Sequence, residues 1–556
     1  MLQCRLTTEK HSTGTLLAKL NACLSLVQRW DGPQWATVAE SDDSMPSEAT
    51  TSVPHAKLLA ALRTARAYPR AVAAGVTEGG PIVLKETHIS WVFLVGAYAF
   101  KIKKPILTPF LDYRLLGSRK DFCGREVALN QRYSDQLYIG VVPISLRDGA
   151  VVVEAEGKAI EYAVKMHRFN EDALLSTRLA GGRLTGQEIK SIGVMLADFH
   201  TRAQPVSRAD VALRDPQRFG DEAFANFTSL ASLTGPPVAE KLRLLSDWTA
   251  RFFSEHRQQF RSRIEHGFVR ECHGDLHANN MVQWKGRWQP FDGIEFNEAF
   301  RFIDNLSDIA FLAMDLHARH APQFAAVLLN SYLEQTGDYR SLSLLRWYLV
   351  YRALVRAKVA LLRSQQLSGE CAVSELTDVR QHIDLAAQFA FPAAPKLWIM
   401  HGLSGSGKST ASEQLVNRHG AIRIRSDLQR KRTPVNSAQP AESPYSPAAR
   451  ARVYHELRQL AERILLAGFP VVIDATFLQA NQRSEFRSLA QQLQLPMNIV
   501  HCEAPLEVLQ QRIRQRASQT ENVSEADLLV LQQQLEQQDA LTAEEWRWTV
   551  IVDDGV

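Results

Sequence analysis

Residues 396–410 read KLWIMHGLSGSGKST, and the organisation of the whole chain can be worked outward from them. A short apolar run, Leu397 to Met400, enters a turn holding Gly402, Gly405 and Gly407; Lys408, Ser409 and Thr410 then open a helix. Glycines at those places let backbone N–H groups close around an anion with no Cβ in the way. The new helix turns its positive end on the same point, and the lysine adds a full charge. This G-x-x-x-x-G-K-S spacing is the P-loop. It marks Gly402, Ser404, Gly405, Ser406, Gly407, Lys408, Ser409 and Thr410 as a cradle for the phosphates of ATP, with the Ser409 hydroxyl on Mg²⁺.

Downstream, strand and helix patterns alternate: strands at 396–400, 421–425, 470–474, 496–502 and near 547–552, helices at 408–418, 447–466, 480–493 and 505–517. That order predicts an α/β domain with a doubly wound parallel sheet, whose strand ends line the ligand crevice. Asp427 and Arg430 in AIRIRSDLQRKR then sit at the end of the second strand. A carboxylate there can take the proton of an attacking hydroxyl, and an arginine three residues on can hold an anionic group of the acceptor. Asp474, closing the third strand in PVVIDATF, is placed to reach Mg²⁺. Arg512 and Arg516, four apart, share a helix face and are expected to grip phosphate, while Arg514 points elsewhere and reads as a solvated charge. The cluster Arg423, Arg425, Arg430, Lys431 and Arg432 offers a basic surface to a phosphorylated or nucleic-acid acceptor, although a charge run is usually a solvated face. The Gln-rich stretch 532–538 has helical leucine spacing and is expected to be such a face.

Upstream lies a second, unrelated phosphoryl-transfer pattern. ECHGDLHANNMVQW (271–284) followed by WQPFDGIEF (288–296) orders Asp275, Asn280 and Asp292. Transfer to a hydroxyl wants one carboxylate to orient the acceptor, an amide oxygen for Mg²⁺, and a further carboxylate bridging Mg²⁺ to the phosphates. The three residues fit those roles in that order, with the spacing of the H-R-D-x-x-x-x-N and D-F-G elements of protein kinases. Resemblance to kinases further implies that YAFKIKKP supplies Lys101 where the nucleotide-binding strand lysine belongs, with Glu126 of REVALN as its partner. Lys103 remains a rival, because alternation puts 101 and 103 on one face. Asp304 and Asp308 precede an apolar helix and read as caps or structural acids, and His273 as a buttress of the loop. No G-x-G-x-x-G covers the phosphates; ETHISWVFL occupies that region.

The intact His273, Gly274, Asp275, His277, Asn280 pattern, with GVMLADFH at 193–200, resembles the aminoglycoside phosphotransferase and choline-kinase-like branch. The P-loop half resembles polynucleotide 5′-kinases, zeta-toxin-like kinases and gluconate or shikimate kinases rather than a motor ATPase. Together, over about residues 56–556, the chain resembles the bacterial bifunctional aminoglycoside phosphotransferase/ATP-binding protein family, with ETHISWVFL, KIKKP, FLDYRLL and IEFNEAFRFIDNLSDIAFLAMDL also matching. The resemblance implies fold and kinase chemistry, not an aminoglycoside acceptor.

At 556 residues the chain exceeds one core, and strands followed by helices before residue 390 predict an α+β bilobal kinase-like domain ahead of the P-loop domain. The expected division is a poorly ordered extension at 1–55, a kinase-like domain at 56–368, a linker at 369–394 whose prolines suggest a hinge, and the P-loop domain at 395–556. Leu16 to Val27 fits one amphipathic helix, and Met45 is an alternative start. A net charge of +4 implies no general nucleic-acid coat, and six scattered cysteines without C-x-x-C argue against a zinc site or a disulfide framework. No run of 18 apolar residues is present, so no membrane span is read, and a reducing, cytoplasmic setting is expected. The function expected is ATP- and Mg²⁺-dependent phosphoryl transfer at two sites to a small-molecule hydroxyl, with Asp275 and Asp427 as the acceptor-side carboxylates. Phosphorylation of polynucleotide 5′ ends or a nucleotide-sugar-like acceptor by the P-loop domain, or one site serving as a non-catalytic ATP sensor, are the alternatives.

Overall fold

Between residues 90 and 167, apolar and β-branched runs build strands, and the central one, residues 98–103, is buried at all but its first position, with the helix at 55–62 and the helix holding Cys123 and Val127 packed on the sheet. The structure, a computed structural model, describes residues 53–73, 82–108, 111–233, 235–432, 446–517 and 528–552. The expectations for residues 1–52, including the helix at Leu16 to Val27, lie outside the described residues.

Helix α1 (His55–Leu62) precedes strands β1 (Val83–Glu86), β2 (Ser90–Val95) and β3 (Tyr98–Lys103), helix α2 (Leu116–Ser134), and strands β4 (Tyr138–Arg147), β5 (Ala150–Val153) and β6 (Ala159–His167). The six strands form one antiparallel sheet in the order β1-β2-β3-β6-β4-β5. Its register places Lys101 opposite Val92 and Val164, in the middle of the sheet. A helical lobe follows: α3 (Gly186–Arg202), closed at its start by a capping box of Thr185 and Glu188, then α4 (Pro236–Glu265). The hairpin β7 (Met281–Trp284) and β8 (Arg287–Pro290) interrupts it. Four helices complete the lobe: α5 (Asn305–Ala318), α6 (Pro322–Thr336), α7 (Leu342–Ser364) and α8 (Glu370–Ala390). Segment 369–394, expected as a linker, is largely α8, whose Val379, Ile383, Ala386 and Phe389 are buried in the same core as α7.

The P-loop half runs β9 (Leu397–His401), α9 (Lys408–His419), β10 (Ile422–Arg425), α10 (Ser426–Arg432), α11 (Pro447–Leu466), β11 (Val471–Asp474), α12 (Ala480–Gln492), β12 (Met497–Cys502), α13 (Leu506–Ala517), α14 (Leu528–Gln537) and β13 (Thr549–Val552). All its strands are parallel, ordered β10-β11-β9-β12-β13. Every residue of β9 and β11 is buried, as central parallel strands covered on both faces must be. The fold class expected from the sequence is the one observed: an α+β bilobal kinase-like part, then a doubly wound α/β part. Among the described residues, no helix is long and apolar enough to cross a membrane.

Candidate active sites

The first site is assembled by α2 against β3. Glu126, Asn130 and Ser134 recur every four residues along α2 and are buried on one face. Glu126 takes both strand lysines, Lys101 Nζ on Oε1 and Lys103 Nζ on Oε2, each at 2.8 Å. They then part ways. Lys101 also pairs with Asp292, whereas Lys103, fully buried, pairs with Glu295, which accepts the Tyr113 hydroxyl at 2.6 Å. Lys101 is thus the lysine that meets the sequence-predicted metal acid. Burial opposes the Lys101 charge, but Asp292, Glu126 and Glu295 outweigh it and hold the ammonium well above its ordinary pKa.

Asp292 adopts a left-handed backbone (φ 62°), unusual for a side-chain-bearing residue, and the next turn is pinned from α2 and β4. Its own N–H donates to the Tyr138 hydroxyl (3.0 Å), and the Gly293 N–H donates to Asn130 Oδ1 (2.9 Å). The Phe291 N–H donates to the Asn280 carbonyl at 2.9 Å, which brings the Asp275–Asn280 loop against the Asp292 turn. Asn280 Nδ2 donates to Asp275 Oδ2 (3.1 Å) and to the Asp275 carbonyl (3.0 Å), which ties the two ends of the loop together. Asp275, its side chain 39% exposed, also lies 3.4 Å from His277 Nε2. Burial pushes its carboxyl up, but the charge and hydrogen bond of His277, with Arg356 and His273 beyond, take it well below the usual carboxylate range. It is therefore held in the ionised form.

The loop is carried from behind. Asp308, fully buried, accepts the His273 N–H and the Gly274 N–H at 3.0 Å each and contacts His200 Nε2 at 3.1 Å. Asp315, two turns along α5, accepts the Ala278 N–H at 2.9 Å. Asp304 is the N-cap of α5, bonded to the Leu306 N–H at 2.9 Å and to Arg263. The reading of 304 and 308 as structural acids therefore holds, with 308 clamping the catalytic loop itself. His273 buttresses it as expected: Nε2–H donates to the Phe291 carbonyl (2.9 Å) and Nδ1 faces the Asp275 N–H (3.3 Å).

In the second site, Gly402, Gly405 and Gly407 all have positive φ. A Cβ on Gly402 would stand 2.2 Å from the Cys502 carbonyl oxygen, so that close approach needs glycine. Ser404 and Gly405 line a cavity of about 130 Å³ with Lys408, Ser409, Asp427 and Asp474. Ser406 is buried in the loop; Ser409 and Thr410 are exposed in the first turn of α9. Lys408 Nζ donates to the Leu403 carbonyl (2.7 Å) and Arg512 Nη1 to the Gly405 carbonyl (3.2 Å), so both cations gather on the loop. The Arg516 side chain lies outside the described residues.

Asp427, expected at the end of the second strand, follows β10 by two residues, in the first turn of α10, where it lines the cavity; Arg430, one turn on, pairs with it at 3.1 Å. Two other expectations are corrected. The basic cluster is not an open surface: Arg423 and Arg425 pair with Glu334 of α6 at 2.8 and 3.6 Å, and Arg432 bonds the Glu334 carbonyl. The Gln-rich stretch is not merely solvated, since Gln533, Gln534 and Gln537 line the cavity and Gln534 Oε1 accepts the Ser404 N–H at 2.9 Å. Only the last had a usable signal, a glutamine at every turn of one helix.

An uncharacterized protein of Mycobacterium tuberculosis, Rv2004c, is 30% identical over 449 residues, 80% of this chain and 88% of that one. The chain belongs to its family. The AAA domain family model matches residues 397–541, the P-loop half. Among solved structures, an ethanolamine kinase of Plasmodium vivax aligns with 56% of this chain and 84% of its own at 12% identity and a TM-score of 0.35. A gluconokinase of Sinorhizobium meliloti aligns with 30% and 86% at 22% identity and a TM-score of 0.22. With the P-loop domain in one half and a bilobal kinase-like fold in the other, the chain is a fused two-domain protein of the ATP-dependent kinase class.

Proposed function

We propose that this chain transfers the γ-phosphoryl group of ATP to hydroxyl groups of a small-molecule acceptor at two separate sites. The observation that carries the reading is the convergence in the first cleft: Asp275 bonded to Asn280, and Asp292 to Lys101, on loops joined by the Phe291–Asn280 hydrogen bond. In this reading Asp275 orients the acceptor hydroxyl, Lys101 with Glu126 holds the nucleotide phosphates, and Asn280 and Asp292 hold Mg²⁺. In the P-loop site Asp427 serves the acceptor, Lys408, Arg512 and Arg516 draw charge from the transferring group, Ser409 and Asp474 hold Mg²⁺, and Arg430 meets an anionic group on the acceptor. Mg²⁺ would supply charge neutralisation across the terminal phosphates at both sites.

The functional division falls near residue 394, with α8 belonging to the kinase-like half. A cytoplasmic setting is part of this proposal. Oligonucleotide phosphorylation is the weaker reading for the P-loop half, because Glu334 already engages Arg423 and bonds Arg432.

The test is transfer of γ-labelled phosphate into a metabolite and oligonucleotide library by wild type, Asp275→Ala and Asp427→Ala. Each variant is expected to lose its own product about 10²-fold or more and to keep the other. Loss of both products in either variant, or labelled oligonucleotide as the main product, overturns the assignment.

A further inference from the structure

Strand β10 lies at the edge of the P-loop sheet, and an edge strand leaves a row of backbone groups to satisfy. Here the kinase-like half satisfies them. From α6, Asn330 Oδ1 accepts the Arg423 N–H at 2.6 Å and Asn330 Nδ2 donates to the Ala421 carbonyl at 2.9 Å. The Tyr339 hydroxyl, just beyond α6, donates to the Arg423 carbonyl at 3.2 Å. One turn after Asn330 comes Glu334, with 11% of its side chain exposed. Arg423 takes Oε1 through both Nε and Nη2 at 2.8 Å, and Oε2 is left facing Arg425 Nη1 at 3.6 Å.

Arg425 is two residues from Arg423 and shares its face of the strand. Its guanidinium stands between two carboxylates, Glu334 at 3.6 Å and Asp474 at 3.8 Å, and it lines the cavity that also holds Lys408 and Ser409. Both separations exceed those of a closed charge-assisted hydrogen bond, about 2.7–2.9 Å. A guanidinium held loosely on both sides, beside the P-loop lysine, is free to turn its donors to a phosphate oxygen.

We propose that Glu334, a residue of the kinase-like half, is a positioning residue of the P-loop site, holding Arg425 so that its guanidinium meets the terminal phosphate of bound ATP. The inference rests on the reading of that cavity as a nucleoside-triphosphate site. It makes the P-loop site incomplete without the preceding half of the chain, and it accounts for a buried glutamate that the fold alone could replace with an apolar contact.

The test uses full-length protein and reads Mg·AMPPNP and Mg·ADP affinity at the P-loop alone, through hydrogen-exchange protection of residues 402–410. Arg425→Gln is expected to weaken AMPPNP about tenfold and Glu334→Gln about fivefold, with ADP unchanged in both. The double variant is expected to be no weaker than Arg425→Gln, because one residue acts through the other. Equal loss for AMPPNP and ADP, multiplied losses in the double variant, or full AMPPNP affinity in Arg425→Gln overturns the proposal. Should Glu334→Gln fail to fold, Arg425→Gln alone still decides through its AMPPNP-to-ADP contrast. If the binding pattern holds while no Lys408-dependent product forms, the positioning role stands and the double-transfer reading falls.

Discussion

The two clefts gather positive charge in opposite ways. In the first, Lys101 and Lys103 are matched inside the fold by Glu126 and Glu295, with half-exposed Asp292 at the edge, and the loop at 273–274 hangs from a buried carboxylate, Asp308. In the second, Lys408 and Arg512 donate to carbonyls of the P-loop itself, and a neutral amide, Gln534, occupies the Ser404 N–H. Buried charge-on-charge contacts are costly to break singly, whereas contacts with neutral acceptors yield to an incoming anion. The first cleft is therefore part of what holds its half of the molecule together. In the second, the neutral amide of Gln534 on the Ser404 N–H is a contact that a ligand can replace.

The largest test of that contrast is Asp308→Ala. It strands the buried His273 and Gly274 N–H groups and His200, each at a cost of about 1–3 kcal/mol, so unfolding free energy should fall by about 3 kcal/mol or more. Denaturant unfolding measures the loss, and Asp275-dependent product should vanish with it. Nucleotide protection of residues 402–410 should persist. An unchanged unfolding midpoint would show that the loop does not depend on Asp308.

A smaller effect of opposite sign is expected across the molecule. Gln534→Ala releases the Ser404 N–H, and since a neutral hydrogen bond is worth about 0.5–1.5 kcal/mol net, Mg·AMPPNP affinity at the P-loop should rise about threefold to tenfold. Weaker binding would instead make Gln534 a nucleotide contact. Hydrogen exchange at 402–410 separates the outcomes.

These contrasts also divide what the sequence shows from what it hides. Strands β9 to β13 and helices α9, α11, α12 and α13 were legible within a residue or two, because buried parallel strands and amphipathic helices each leave a local signature. The order Asp275, Asn280, Asp292 was legible for the same reason: spacing along one loop and hairpin decides it. Partners drawn from distant elements were not. Nothing near Asp308 announces that it will hold residues 273 and 274, or near Glu334 that it will engage Arg423, because those pairings exist only after the helices pack. The choice between Lys101 and Lys103 was open for a related reason, both sitting on one strand face until Asp292 and Glu295 arrive from elsewhere to separate them.

Where the two halves agree is in their response to acid, and the smallest predicted effect lies there. Each buries a histidine in neutral form. His317, edge-on to Phe389 at 5.2 Å, is brought down by burial to about 4. His401, beneath the P-loop, is lowered to about 3 by burial first and then by the charges of His501, Arg483 and Lys408. An unfolded chain binds a proton at each as pH drops through the ordinary value near 6.5, while the folded chain does not until far lower. Stability is then full above about pH 6.5 and declines as pH falls toward 4 for His317 and toward 3 for His401. His317→Phe keeps an aromatic partner for Phe389 and removes the first titration, so the melting temperature should fall less between pH 6.5 and 4 than in wild type. A residual slope should remain, because His401 is still there to be charged on unfolding. Parallel curves for the two proteins would mean that His317 is protonated as readily in the fold as out of it.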